Sequence, residues 1–287
     1  MSEKLTVRDF FKRFPTDDAC LDHIMNVRYG TRHTCKSCGV VDSSFHRVTG
    51  RRAYACAHCG AHLYPCVGTI FEDSQTKLQL WFYAIYLFVV TRHGVSAKEL
   101  ERQLGVTYKT AWRIGHKIRE LTNKADFHAQ LVGHVEIDET YVGGAKKGGK
   151  RGRGADGKTI VVGIKERSGN IKLSVVDSVK RSSLQPIIEA TVQKGSTVST
   201  DELRSYSNLN SLGYNHGSVQ HGAKQFVDGI HHVNSVEGFW KLFKDSVKST
   251  HIHISKKYAE LYLSEFSFRS NHRAMKNAMF DLLIASV

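Results

Sequence analysis

The stretch LVGHVEIDETYVGG (residues 131–144) decides how the second half of this chain is read. Within it Val135 and Ile137 alternate with Glu136 and Asp138, the period-two pattern of a strand. Two later places share its character. STVST (196–200) is strand-like and is followed directly by Asp201, and HHVNSVEGFWKLFK (231–244) is helix-like and carries Asn234, Glu237 and Lys241. Two carboxylates at strand ends, with an oxygen ligand on a following helix, are the donor set that two Mg²⁺ or Mn²⁺ ions need to cut phosphodiesters.

Working outward, KTIVVGIKE (158–166) and IKLSVVDS (171–178) are further strands, joined by the turn Arg167-Ser168-Gly169-Asn170. SSLQPIIEATVQKG (182–195) reads as a helix in which Pro186 is tolerable only near the start. After Asp201 come a short helix-like ELRSYSNLNSLG (202–213), a strand in YNHGSVQH (214–221) and a long helix. The order β-β-β-α-β-α-β-α predicts a mixed α/β fold. Three meandering strands and a fourth returning through a helix let the first and fourth pair in parallel by a right-handed crossover. Asp138 and Asp201 then sit on neighbouring strands, the ribonuclease H-like arrangement.

On a wheel of about 100° per residue, Glu237 and Lys241 share a face with Asn234. Val236, Phe239, Trp240, Phe243 and Val247 cluster opposite, where a core would sit. A simple Glu237–Lys241 ion pair is the plain reading of that face, and the strand-end aspartates favour a site instead. Asn234 offers Mg²⁺ an oxygen without charge, and Glu237 offers charge one turn further along. Lys241 is placed to hold a phosphate or orient the helix. His231 and His232 are candidate proton carriers or substrate contacts, with a surface cap as the alternative.

GRGADGKT (152–159) satisfies the phosphate-loop expression, but it follows KKGGKR and runs into a strand, whereas a phosphate loop opens a helix. It reads better as a hairpin loop, whose Lys146, Lys147, Lys150, Arg151 and Arg153 either are solvated or lie on phosphates, the second favoured by a basic loop starting just after Asp138.

Towards the N-terminus, residues 1–30 read as a short amphipathic helix. Cys35-Lys-Ser-Cys38 and Cys56-Ala-His-Cys59 follow, each pair with a glycine after its second cysteine, Gly39 and Gly60. Four thiolates so spaced, with strand-like SSFHRV and RAYACAHC around them, read as a zinc ribbon in which the structural Zn²⁺ replaces a core. His58 and His62 are substitute ligands for which four cysteines leave no vacancy, and Cys20 and Cys66 read as core residues. LQLWFYAIYLFVV (78–90) is too short for a membrane span and reads as a buried helix. Ser96-Ala-Lys-Glu99 reads as a capping box opening a helix that stops at Gly105. TYKTAWRIGHKIRE (107–120) follows as a second helix, with Ala111, Ile114 and Ile118 inward and Tyr108, Lys109, Arg113, His116 and Lys117 outward. The pair is a helix-turn-helix pattern whose basic helix would contact DNA.

The 287 residues carry a net charge of +14, and the excess of Lys and Arg runs through both halves of the chain. A spread basic excess suits a polyanion touching several modules. The opening segment has no apolar signal-peptide core, and paired Cys-x-x-Cys motifs suit a reducing cytoplasm.

From the cysteine pairs through VEIDETYVGG, the Asp201 strand and NSVEGFWKLFK to LYLSEFSFRSNHR (261–273), the chain resembles the bacterial insertion-sequence transposases of the DDE superfamily that bear an N-terminal zinc ribbon. Some branches have Asn in place of the third acid and a Lys seven residues on, a spacing that Asn234 and Lys241 match. The resemblance implies a metal-binding triad of Asp138, Asp201 and Asn234 with Lys241 as companion, and Glu237 as a further source of charge. It implies Mg²⁺- or Mn²⁺-dependent cleavage at terminal inverted repeats and strand transfer to target DNA. It also implies a dimer or larger synaptic assembly, with no membrane, in a bacterial cytoplasm at the nucleoid. The expected segments are 1–70 for the N-terminal helix and ribbon, 71–125 for the helix-turn-helix, and 126–287 for the ribonuclease H-like catalytic domain. A non-catalytic DNA-binding regulator and a stand-alone nuclease are the rival readings.

Overall fold

The computed structural model of the protein describes residues 5–126, 129–143, 158–275 and 278–287. The chain divides into two units, Met1–Ala125 with Met275–Val287, and Asp126–Ala274.

In the first unit the N-terminal stretch forms two helices rather than one, because Pro15 interrupts it. α1 (Val7–Arg13) opens on a reciprocal Thr6–Asp9 capping box, and α2 (Asp17–Tyr29) opens on Thr16 and ends at Gly30. β1 (Arg32–His33), β2 (Ser43–Arg47), β3 (Tyr54–Cys56) and β4 (His62–Leu63) form an antiparallel sheet in that order. α3 (Leu78–Val90) buries Trp81, Phe82, Ile85 and Phe88, and the Asp17 carboxylate caps it by accepting the Leu78 and Gln79 N–H groups at 3.0 and 3.1 Å.

α4 (Ala97–Leu104) starts at Ser96, whose hydroxyl accepts the Glu99 N–H. The return bond of the expected capping box is not among its interactions: the Glu99 carboxylate turns to Arg102 and Gln103. Gly105, in the left-handed region at φ 63°, ends α4, and α5 (Tyr108–Ala125) follows. α5 buries Ala111, Ile114 and Ile118 and exposes Tyr108, Lys109, Arg113 and Lys117. His116 corrects the sequence reading. It is only 6% exposed, stacked on Trp112. α3, α4 and α9 (Ala278–Ala285) all pack on α5, so its buried arc is wider than one apolar stripe. Residues 275–287, read from sequence with the catalytic segment, thus belong to the first unit, where Phe280 sits among Phe10, Phe14 and Phe82.

The second unit is built on a five-stranded sheet of order β7-β6-β5-β8-β9. Its strands are β5 (His134–Val142), β6 (Thr159–Glu166), β7 (Ile171–Val176), β8 (Thr197–Thr200) and β9 (Asn215–Ser218). β5–β6 and β6–β7 are antiparallel, whereas β5–β8 and β8–β9 are parallel. Side chains alternate along the strands. Val135, Ile137, Val162 and Ile164 pack with Leu184 and Ile188 of α6 (Arg181–Thr191). Val142 and Val161 instead pack with Val236, Trp240 and Phe243 of α7 (Asn234–Ser246) and with Leu263 and Phe266 of α8 (Ala259–His272). Each face therefore has its own core.

Two local expectations change and a third holds. Pro186 lies inside α6 rather than near its start, tolerated because both its ring and the Ser182 residue whose carbonyl it leaves unbonded are exposed. Residues 202–213 form two 3-10 turns, Arg204–Tyr206 and Asn210–Leu212, instead of a helix. There Ser211 and Asn210 side chains bond to the Asn208 and His216 carbonyls, in competition with a helical ladder. Thr159, the end of the phosphate-loop-like octet, opens β6 opposite Val142, so that stretch leads into a strand. Lys146, Lys147, Lys150, Arg151 and Arg153 lie outside the described residues.

Candidate functional site

The two cysteine knuckles repeat one geometry. Cys35 N–H donates to Val40 O and Gly39 N–H to Cys35 O, as Cys56 N–H donates to Ala61 O and Gly60 N–H to Cys56 O. Gly39 and Gly60 both sit at φ 72°, a conformation that disfavours any side chain. The turns bring Cys35, Cys38, Cys56 and Cys59 into one group, with sulfur separations of 3.8 Å (Cys35–Cys59) and 4.0 Å (Cys38–Cys56). Sulfurs bound tetrahedrally to Zn²⁺ at about 2.3 Å stand about 3.8 Å apart, so the four residues fit a structural zinc ion. Cys20 and Cys66 are buried elsewhere, and burial pushes the Cys20 thiol up to about 12.

The second group is carboxylate. Parallel pairing of β5 with β8, in register from His134–Thr197 to Glu136–Ser199, carries Asp138 and Asp201 to the same end of the sheet. Oxygen atoms of Asp138, Glu139 and Asp201 come within 4.8 Å of one another. Burial pushes the Asp138 carboxyl up to about 6, and the nearby charges of Asp201 and Glu237 add to the rise. Asp201 is oriented by its Oδ1, which accepts the Leu203 N–H at 3.0 Å. Glu139 accepts the hydroxyl of buried Tyr206. Hard oxygen donors converging on one half-buried spot suit a divalent cation. Glu139 was missed from sequence, where strand alternation directs it away from Asp138; its proximity in Glu-Ile-Asp-Glu was the available signal.

Asn234 is the first residue of α7 and is exposed, as are Glu237 and Lys241 on the same face. A Glu237–Lys241 ion pair is not among those of the described residues; Glu237 Oε1 lies 3.8 Å from His221 Nδ1. What holds this helix in place is Glu136, also missed from sequence. Its side chain is 0% exposed and points to the α7 side of β5. Its carboxylate accepts the Ser235 N–H at 2.7 Å, the Val236 N–H at 3.1 Å and the Ser235 hydroxyl at 3.1 Å. Arg167 Nε donates to it at 3.0 Å, and His232 Nδ1 stands 3.2 Å away. A strand carboxylate thus caps the helix that has no side-chain cap of its own.

Glycine sets the distance of that helix from the sheet. A Cβ on Gly163, the β6 residue opposite Asp138, would lie 2.5 Å from the Trp240 ring. The two histidines ahead of α7 are half-buried rather than open surface caps. His231 Nδ1 is 2.9 Å from Ser199 Oγ, which also meets His134 Nε2 at 2.8 Å, and the ring lies against Gly217. His232 leans on Glu136. Both brace the approach to the helix.

Two segments of the chain match known domain families. Residues 15–62 match the model of the transposase zinc-ribbon domain, and residues 130–271 match that of the ISXO2-like transposase domain. An uncharacterized protein in transposable element ISH50 of Halobacterium salinarum is 28% identical over 277 residues, covering 90% of this chain and 92% of its own. Among solved structures, the Mos1 transposase paired-end complex with left transposon end aligns at 13% identity and a TM-score of 0.30, over 71% of this chain and 78% of that one. A simian T-cell lymphotropic virus intasome in complex with PP2A regulatory subunit B56 gamma aligns at 14% identity and 0.28, over 60% of this chain and 63%, less than two thirds, of that one.

Proposed function

We propose that this chain, which carries a transposase zinc ribbon and an ISXO2-like transposase domain, is the DNA transposase of an insertion sequence, cutting element ends and joining their 3′-hydroxyls to target DNA. The observation that carries the reading is the convergence of Asp138 and Asp201 through the parallel β5–β8 pairing.

In this reading Asp138, Asp201 and the Asn234 carbonyl hold two Mg²⁺ or Mn²⁺ ions in the DDE manner, and the sheet is ribonuclease H-like. Once bound, such ions activate the attacking oxygen and stabilise the leaving one in an in-line displacement. Glu139, already beside both aspartates, is a closer source of the charge that Asn234 lacks than Glu237, which lies on the exposed helix face. Lys241 holds a substrate phosphate from that face. Glu136 acts through α7, fixing the first turn that bears Asn234.

The ribbon and the α4–α5 pair recognise terminal inverted repeats. Lys109, Arg113 and Lys117 share one exposed side of α5, where Lys117 also reaches Glu120 at 2.9 Å, and Tyr108 is exposed at the start of the helix. Lys146, Lys147, Lys150, Arg151 and Arg153 supply further phosphate contacts. Two element ends processed together call for a homodimer or a larger synaptic complex.

The test is a strand-transfer assay in Mg²⁺ or Mn²⁺ on DNA bearing the flanking inverted repeats, comparing wild type with Asp138→Ala, Asp201→Ala, Asn234→Ala, Glu139→Ala and Glu237→Ala. Loss of joined product in both aspartate variants is expected. Activity of Asp138→Ala equal to wild type would end the catalytic reading. Cleavage without joining would favour a stand-alone nuclease, and DNA binding with neither would favour a regulator. An active Asn234→Ala beside an inactive Glu139→Ala would reassign the third ligand.

A further inference from the structure

A cavity of about 570 Å³ opens in the second unit on a different side of α7 from Asn234, Glu237 and Lys241. Lys165, Arg167, Ser168 and Gly169 line it from the end of β6 and the following turn, Ser235, Gly238, Phe239 and Leu242 from α7, and Ser270 and Arg273 from the end of α8 and beyond. Three cations and three hydroxyls face it, and no carboxylate is in its lining. The nearby acids are already bonded, Glu136 in part to Arg167 and Ser235 of the lining itself. Glu136 is held by the α7 amides and Arg167, and the Glu166 oxygens accept the Val132 and Asn170 N–H groups.

The positive charge is only partly offset within the unit. Lys165 Nζ donates to the Gly169 carbonyl at 3.1 Å, a neutral partner, and Arg273 is exposed with no carboxylate partner among the described residues. Burial, and then the Arg273 charge, push the Lys165 ammonium below its ordinary value. Arg167 keeps Glu136 as its partner, and the remaining positive charge of Lys165 and Arg273, which make no ion pair among the described residues, is relieved when an anion enters. A tetrahedral oxyanion there would have Lys165, Arg273 and the Ser168 and Ser270 hydroxyls around it, beside an Arg167 that Glu136 already holds. Ser235 and Arg167 both also bond to Glu136, so an occupant would touch the same groups that hold the first turn of α7.

We propose that this cavity is a binding site for a backbone phosphate of DNA, a second contact point for a strand passing α7 on the side away from the carboxylates. The proposal rests on the DNA-acting reading above. Its role is positional, since a phosphate contact sets the register of the duplex without reading a base.

Anisotropy of a labelled duplex, titrated with the full-length protein across a range of salt, tests it. The proteins compared are wild type, Lys165→Gln, Arg273→Gln, the double variant, Lys165→Arg as the charge-keeping control, and Lys180→Gln as a remote one. Each phosphate contact contributes about 0.9 to the slope of log affinity against log salt. Loss of one contact should flatten the slope by about that amount, so that the deficit against wild type is about threefold greater at about 50 mM than at about 200 mM salt. Lys165→Arg and Lys180→Gln should track wild type, and melting temperatures should stay together.

A double variant with wild-type slope and affinity overturns the site while leaving strand transfer standing. Variant-sensitive binding with no cleavage or joining leaves the site and removes the transposase reading. A wild type that does not bind DNA removes both. If millimolar inorganic phosphate raises the melting temperature of wild type but not of the double variant while the DNA titrations coincide, the cavity takes free phosphate and the DNA assignment is wrong.

Discussion

In the ribbon, all four sulfurs come from two short turns with the same hydrogen bonds and the same glycine conformation. In the sheet unit, Asp138, Glu139 and Asp201 are gathered from β5 and the end of β8, and the helix beside them is capped by a fourth carboxylate, Glu136 of β5. The ribbon's strands are two to five residues long, and its fold needs the ion to close it. The sheet unit has a core on each face and can hold carboxylates together against their own repulsion. The first cluster organises its surroundings; the second is organised by them.

Removing zinc is the widest test of that contrast. Structural zinc is worth about 10–16 kcal/mol of apparent binding energy in small ribbon-like modules. Chelation, or Cys56→Ser, should abolish hydrogen-exchange protection in β2 and β3 while β5 and β6 stay protected. Equal loss in both sheets would mean that the two units do not hold their folds separately.

Glu136→Ala is the corresponding break in the second unit. It strips a buried acceptor from two α7 amides and a partner from Arg167, and unfolding in denaturant should show a loss of about 3–5 kcal/mol. Exchange should rise in the first turn of α7 more than in α8. Uniform exchange across both helices would show that Glu136 serves general stability rather than the seat of Asn234.

Asp138→Asn should act in the opposite direction. With its folded pKa pushed up to about 6 from an ordinary 3.8, the carboxyl prefers its protonated form in the native state. Its destabilising effect therefore appears as pH rises through that window and is full above it, reaching up to about 3 kcal/mol. In the absence of Mg²⁺ or Mn²⁺, the Asn variant should melt higher than wild type at pH 7.5, with the gap closing by about pH 4. A lower melting point at pH 7.5 would mean that the carboxylate is stabilised where it sits.

The smallest effect is expected at Gly163. Added Cβ would press on the Trp240 ring at 2.5 and 2.8 Å, so Gly163→Ala should cost about 1–3 kcal/mol by displacing α7. Pairing it with Trp240→Phe should recover part of that loss in the same denaturation measurement; no recovery would locate the strain elsewhere.

Much of this was legible in the residues. Strand alternation around Val135 and Ile137, the cysteine spacing and the break at Gly105 are local signals, and the structure keeps each of them. What escaped was set by neighbours. The apolar stripe of α5 leaves His116 on the outward side, yet three helices pack around α5 and bury it. Glu136 read as the polar side of an alternating strand, yet that side is covered by α7. Glu139 and Tyr206 meet from segments with no shared local pattern.

The amino-acid sequence by itself determined the zinc ribbon, because its ligands lie within turns whose geometry follows from a few residues and a glycine. It also determined which strands alternate and which helix faces are apolar, since these are periodicities of the local backbone. Tertiary structure alone decided that Glu136 is a helix cap, that Glu139 joins Asp138 and Asp201, and that Lys165, Arg167 and Arg273 share one cavity. Those outcomes depend on strand order and on the close approach of α7 over Gly163, distances between residues remote in the chain that no local pattern encodes.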